Sequence, residues 1–167
     1  MLFTPEYLFQ SVASITPEFL RQQGITALVL DVDNTLTGHN SHQLDDDVQH
    51  WLSAMRSAGI QLMIASNNTG RRVQPFAQSI GLAFVANSCK PLSFGLKRAC
   101  KEFGVPRSQM AIVGDQLFTD RAAGALFGIR ALVVVPRSPD FKKGILFKRK
   151  LEQPFLKRYY KKGGKLL

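Results

Sequence analysis

Cysteine is scarce in this chain of 167 residues: Cys89 and Cys100 are the only two. That excludes a disulfide framework for a core of this size, and their spacing suits no metal site, so two reduced, partly buried thiols are expected. Long apolar runs are also missing. None approaches the roughly 18–20 residues needed to span a bilayer, and no membrane span is predicted. The first ten residues lack a basic stretch and contain Glu6, which does not read as a signal peptide, so a cytoplasmic location is expected. No internal repeat or low-complexity linker is visible. Histidine is limited to His39, His42 and His50, none with an evident partner, and surface positions are expected for all three. Acidic residues nearly vanish from one end. Residues 137–167 hold Asp140 and Glu152 against 11 Lys/Arg, whereas residues 1–136 hold 10 Asp/Glu against 11 Lys/Arg.

What remains is the composition of a folded protein, 45% apolar and 20% charged, with length for one domain and a sizeable core. The charge asymmetry divides the chain into a near-neutral body, residues 1–136, and a basic C-terminal extension, residues 137–167.

Within the body, short apolar runs alternate with amphipathic stretches. Ala27–Leu30, Ile60–Ala65, Leu82–Val85, Met110–Val113 and Ala131–Val135 read as buried parallel strands. Helices are predicted over Leu44–Ala58, Gly70–Ser79, Pro91–Phe103 and Thr119–Phe127, each followed by glycine within two residues. In the first of these, Leu44, Val48, Trp51, Leu52 and Met55 form one apolar face, and Asp45, Asp46 and Asp47 sit where the helix dipole favours negative charge. Residues 1–24 look like a helical addition. The alternation predicts an α/β domain, a Rossmann-like parallel sheet with helices on both faces. Such sheets bind ligands beyond the C-terminal ends of their strands, which is where Asp31, Ser66 and Asp115 fall.

The sharpest signal is Asp31-Val32-Asp33-Asn34-Thr35 directly after an apolar strand. A carboxylate can attack phosphorus and form an aspartyl-phosphate, splitting hydrolysis into two easier steps. A second carboxyl nearby can protonate the leaving oxygen and then deprotonate water. The crowded anionic transition state needs a hard cation and positioned donors. Asp115 can complete a Mg²⁺ site with Asp31, and Asp120 can stand in its outer shell. Ser66 and its loop offer donors to phosphoryl oxygens, and Lys90 can neutralise nucleophile and phosphate together. Of the two asparagines that follow Ser66, Asn67 is the better placed for a site role, though both can simply shape the turn. Arg71 and Arg72 can reach a phosphate or form a solvated helix start.

Four segments, Asp31–Thr35, Ser66, Lys90-Pro91 and Gly114–Asp120, resemble in order the motifs of the haloacid dehalogenase superfamily of phosphatases. The resemblance covers about residues 26–136. It implies Asp31 as nucleophile and metal ligand, Asp33 as acid/base with its backbone carbonyl on the metal, Asp115 as the third protein ligand, and Ser66 and Lys90 as phosphate-binding residues. In detail the segments Asp31–Thr35, Ala65–Asn68, Ala86-Asn87 with Lys90-Pro91, and Gly114–Asp120 look like the YqeG-type branch, subfamily IIIA, which includes phosphatidylglycerophosphate phosphatases.

Two features of the sequence agree with that branch. Only 30 residues separate Thr35 from Ser66, and 23 separate Ser66 from Lys90, leaving no room for a substantial cap domain. An open site suits a phosphate presented on a macromolecule or membrane, unless a neighbouring subunit covers it. The extension interleaves its Lys/Arg with Phe141, Leu146, Phe147, Phe155, Leu156, Tyr159 and Tyr160, a composition that suits an anionic membrane surface. It would also serve nucleic acid, or a solvated, partly packed tail. The expected function is a Mg²⁺-dependent phosphatase at the membrane periphery acting on phosphatidylglycerophosphate. The alternatives are a phosphatase for a soluble or nucleic-acid phosphate, and a non-enzymatic RNA-binding protein on the same scaffold.

Overall fold

The computed structural model describes residues 1–38, 41 and 43–167. The positions expected for His39 and His42 lie outside them, and His50 is exposed as anticipated. The elements, in chain order, are β1 Tyr7–Phe9, α1 Pro17–Gln22, β2 Ala27–Leu30, α2 Asp46–Ser57, β3 Gln61–Ala65, α3 Gly70–Ser79, β4 Ala83–Val85, α4 Phe94–Phe103, β5 Met110–Gly114, α5 Ala122–Phe127, β6 Arg130–Val134 and α6 Lys143–Lys161. A π-helical turn, Leu117–Arg121, leads into α5.

All six strands are parallel, in the order β1-β6-β5-β2-β3-β4. From β2 the chain winds outward through β3 and β4. It then returns to the other side of β2 for β5 and β6. The order therefore reverses between β2 and β5, and the crevice beyond their C-terminal ends is the natural ligand site of such a sheet.

Side-chain alternation explains why both faces are covered. Leu28, Leu30, Ile64, Ala111 and Val113 point one way, onto Val48, Trp51, Leu52 and Met55 of α2 and Val73, Phe76 and Ala77 of α3. Ala27, Val29, Met63, Ala65 and Ile112 point the other way, onto Leu96 and Ala99 of α4 and Ala123 and Phe127 of α5. The Trp51 indole also donates to the Ile15 carbonyl at 2.8 Å, tying α2 to the N-terminal segment.

The N-terminal segment is not wholly helical, which corrects the reading of residues 1–24. Tyr7, Leu8 and Phe9 form an edge strand in register with Leu132, Val133 and Val134 of β6. Three residues are too few to reveal a period of two, whereas the exposed edge of β6 supplies the unpaired backbone groups that extend them. Helix α4 starts at Phe94 rather than Pro91, since residues 89–92 form a turn closed by the bond from Leu92 N–H to the Cys89 carbonyl, 2.8 Å.

The basic extension folds back as α6. Tyr159 packs with Leu8, Leu117 and Val133, supported by Phe155 and Leu156. Leu167 N–H donates to the Leu8 carbonyl at 2.9 Å, and Gln10 N–H to the Leu167 carbonyl at 2.8 Å. The extension thus closes one end of the sheet, packed on the body. Among the described residues, no helix is long and apolar enough to cross a membrane.

Candidate active site

β2 delivers Asp31 and β5 delivers Asp115 on either side of the reversal in strand order. Beyond β2 the chain turns sharply. The amides of Thr35, Leu36 and Thr37 all donate to the Val32 carbonyl at 2.9–3.2 Å, and Asn34 takes a left-handed conformation, φ 60°, which asparagine tolerates better than most residues. This turn separates Asp33 from Asp31. Beyond β5, Gly114 ends the strand where no side chain fits. A Cβ there would lie 2.2 Å from Cγ of Asp120. The absence of a side chain at Gly114 lets the Asp120 carboxylate fold back over the strand end.

Carboxylate oxygens of Asp31, Asp115 and Asp120 lie within 4.8 Å of one another, and all three residues are buried. Lys90, also buried, donates from Nζ to Asp31 Oδ1 at 2.8 Å and to Asp120 Oδ1 at 2.7 Å. The other oxygen of Asp120 accepts from the Gln116 amide at 3.2 Å. Lys90 is held in turn by Asn67. The Asn67 amide nitrogen donates to the Lys90 carbonyl at 2.8 Å, and its oxygen accepts from the Lys90 amide at 2.8 Å and the Ser88 hydroxyl at 2.9 Å. Asn67 therefore lines the pocket, in keeping with a site role, and braces Lys90. Ser66 is buried at the end of β3, its hydroxyl accepting from the Asn68 amide at 3.1 Å.

Asp33 stands apart from the acidic trio. Its carboxylate is held by Asn68, and by Arg72 Nη2 at 2.9 Å. Of the two readings left open for Arg72, the solvated helix start does not describe this place, since the side chain is largely covered and paired with Asp33. The guanidinium orients the expected acid/base.

The residues that the sequence reading missed come from the basic extension. Arg149 bonds the Asp115 carboxylate and, at 2.7 Å, the Asp115 carbonyl. It also pairs with Asp140 at 2.8 Å and with Glu152 at 3.2 Å. Glu152 is buried and accepts from the Leu117 amide at 2.7 Å. Asp140 accepts from Asn34 at 2.9 Å. A signal was present: Asp140 and Glu152 are the only acids among the last 31 residues, and acids kept within a basic stretch are candidates for internal partners.

The electrostatics follow from this packing. Burial pushes the Asp31 carboxyl up to about 6, against the pull of Lys90 and with added repulsion from Asp120. Burial pushes Asp115 up to about 8, against Arg149, with Asp31 and Asp120 adding to the rise. Lys90 is raised above the usual lysine value, because the neighbouring Asp120 and Asp31 outweigh its desolvation. Two cations thus leave three buried carboxylates under-compensated. The donor set, all hard oxygens on carboxylates that outnumber the cations beside them, fits Mg²⁺, which takes few carboxylates and completes its shell with water and phosphate oxygen.

The pocket, about 190 Å³, is lined by Asp31, Asp33, Ser66, Asn67, Lys90 and Asp115, with Lys142, Ile145 and Lys148 along one side. No inserted domain stands over it among the described residues: α2 alone lies between β2 and β3, and α3 between β3 and β4.

A sequence profile for haloacid dehalogenase-like hydrolases matches residues 14–128. The chain is 29% identical over 161 residues to a Bacillus subtilis protein named probable phosphatase YqeG, covering 96% of this chain and 94% of that one. It is 26% identical to an Arabidopsis thaliana protein named phosphatidylglycerophosphate phosphatase 1, chloroplastic/mitochondrial, over 95% of this chain, and spans 49% of that protein's length. Among solved structures, a HAD family hydrolase from Deinococcus radiodurans with bound phosphate and sodium superimposes with a TM-score of 0.57 at 14% identity, covering 77% of this chain and 89% of that one.

Proposed function

The chain belongs to the haloacid dehalogenase-like hydrolases, and from that premise we propose that it is a Mg²⁺-dependent phosphomonoesterase whose substrate is phosphatidylglycerophosphate. The observation that carries the chemistry is the meeting of Asp31, Asp115, Asp120 and Lys90 in one buried cluster at the reversal of the sheet. Asp31 is the nucleophile: its carboxylate attacks phosphorus and takes the phosphoryl group, and the alcohol leaves. Asp33, aimed by Arg72, gives the leaving oxygen its proton. It then takes a proton from the water that cleaves the aspartyl-phosphate, freeing phosphate and Asp31. Ser66 and Lys90 bind phosphoryl oxygens, and Asn67 keeps Lys90 in place. Asp31, Asp115 and the Asp33 carbonyl would hold Mg²⁺, with Asp120 behind them, and the ion would neutralise charge between the nucleophile and the phosphoryl oxygens.

Three observations support a lipid substrate. A relative aligned along nearly the whole of this chain carries the name phosphatidylglycerophosphate phosphatase. No cap domain stands over the pocket among the described residues. Finally, exposed apolar residues adjoin the pocket in sequence: Leu92 and Phe94 follow Lys90, and Phe141 stands between the pocket-lining Asp140 and Lys142. On α6 the exposed Leu146, Phe147 and Leu151 alternate with Lys143 and Lys150. This face fits an anionic bilayer, where each basic residue contributes about 1 kcal/mol, and makes the protein a peripheral one.

Phosphate release from phosphatidylglycerophosphate in mixed micelles with Mg²⁺, beside soluble phosphomonoesters and an Asp31→Asn control, tests the reading. A preference for the lipid that vanishes in the variant is expected. Turnover of soluble esters alone would keep the chemistry and overturn the substrate. Full turnover by a folded Asp31→Asn protein would overturn the nucleophile.

A further inference from the structure

Helix α6 has two faces that differ in kind. Glu152, Arg149, Lys148 and Ile145, with Lys142 at the N-cap, recur at three- and four-residue spacing, so they share one side of the helix. Glu152 and Arg149 are consumed in clamping that side to the body through the Leu117 amide, Asp115 and Asp140. Ile145, Lys142 and Lys148 continue the stripe into the wall of the pocket that contains Asp31.

The other lysine of that wall, Lys90, is neutralised by Asp31 and Asp120. Lys142 and Lys148 are different. Each is exposed, and among the described residues neither side chain has a hydrogen bond or an ion pair. Both are nonetheless fixed in place by α6: Lys148 lies one residue from the anchored Arg149, and Lys142 caps the N-terminus of the helix. Two uncompensated cations held at the mouth of a phosphoryl pocket have the chemistry of an anion site, one that lies beside the reacting phosphate and apart from it.

We propose that Lys142 and Lys148 form a subsite for a second anionic group of the substrate, selecting phosphomonoesters that also carry a phosphodiester over those with a single phosphate. The inference rests on the phosphatase reading above and deepens it. Phosphatidylglycerophosphate has this pattern, a terminal phosphomonoester separated by one glycerol from a phosphodiester. The subsite reads the headgroup itself, so it acts without a membrane.

The test uses soluble esters and the full chain. The deacylated headgroup, glycerophosphoglycerol phosphate, is compared with glycerol 3-phosphate and p-nitrophenyl phosphate. The wild type, Lys142→Gln/Lys148→Gln and, as a control on the outward face, Lys143→Gln/Lys150→Gln are assayed. The inward pair is expected to lower kcat/KM for the deacylated headgroup by about tenfold, mainly through KM. It should leave p-nitrophenyl phosphate within about twofold, and the preference should weaken as salt rises. Equal losses on all three esters, no loss, or the same loss from the outward pair would overturn the subsite. A wild type that hydrolyses single-phosphate esters without preferring the headgroup would also refute the subsite and leave the phosphatase standing. Absence of all hydrolysis would refute the phosphatase reading alone. In that case calorimetric binding of the headgroup still decides the subsite, with about tenfold weaker binding to the inward pair expected and unchanged binding refuting it.

Discussion

Replacing Lys90 by methionine tests the charge balance of the site directly. The Lys90 side chain is 2% exposed and contacts Asp31 at 2.8 Å and Asp120 at 2.7 Å. Methionine keeps most of the volume and removes the charge. Breaking a buried pair by deleting one partner costs about 3–5 kcal/mol. For a domain of this size each kcal/mol moves the melting temperature by about 2–4 °C, so a fall of about 6–20 °C is expected in metal-free protein at pH 8. The deficit must depend on pH. Asp31 already sits near 6 with Lys90 present, and without it that carboxyl rises further above its unfolded value of about 4. Groups raised in this way contribute stability that is present at low pH and lost as pH rises through the folded value. Lys90→Met therefore costs less at pH 5 than at pH 8, and Mg²⁺ restores part of the loss. Lys90→Met/Asp120→Asn removes both members of a pair and is expected to melt above Lys90→Met at pH 8. Thermal melts at the two pH values, with and without Mg²⁺, supply the measurement. A Lys90→Met protein as stable as the wild type at pH 8, or a deficit independent of pH, would refute the account.

Asp31→Asn is expected to reduce turnover by about a thousandfold or more. It should also raise the metal-free melting temperature at pH 8, because it removes one of three crowded carboxylates; a lower melting temperature would contradict the repulsion inferred here. Since Asp31 and Asp115 hold protons up to about 6 and about 8, Mg²⁺ has to displace them. Its affinity should climb between pH 6 and 8 with proton release, read by calorimetry in two buffers of different ionisation enthalpy, and flat affinity would count against it. By the same sign, metal-free stability from these groups is present below about pH 4 and lost through pH 8. Glu152→Gln keeps the shape but removes the charge from the acceptor of the Leu117 amide and the partner of Arg149. A loss of about 1.5–3 kcal/mol and faster hydrogen exchange over α6 are expected, and unchanged exchange would mean that α6 is held by other contacts.

The central fold and the chemical residues were legible because both are written in short sequence distances. Four-residue apolar runs ending in Asp31, or just before Gly114-Asp115, carry strand, terminus and carboxylate together. The helical period of Val48, Trp51, Leu52 and Met55 likewise names its own buried face. What could not be read is long-range. Arg149 pairs across 34 positions with Asp115, and Arg72 across 39 with Asp33. Nothing local distinguishes those arginines from Arg71 or Arg158, which remain exposed. β1 was hidden for the same reason, since its three residues become a strand only when β6 arrives, some 120 positions later, to pair with them.

The basic extension is where local and long-range readings part most. Its composition suggests an appendage, and one face of α6 does present Phe147, Leu151 and Lys150 to solvent. The opposite face is committed to the catalytic body. Glu152 binds the amide that opens the turn after Asp115, and Arg149 grips Asp115 itself. A helix fastened this way cannot shift without disturbing a carboxylate of the acidic trio. Conversely, a change in charge at Asp115 alters the strength of the grip. With no inserted domain above the pocket among the described residues, α6 supplies a wall that a cap would otherwise provide, and the residues beyond that wall face outward. Membrane contact, headgroup selection and metal-site charge would then converge on one helix and the lysine that caps it, with the division of labour set by which side of the helix each residue occupies.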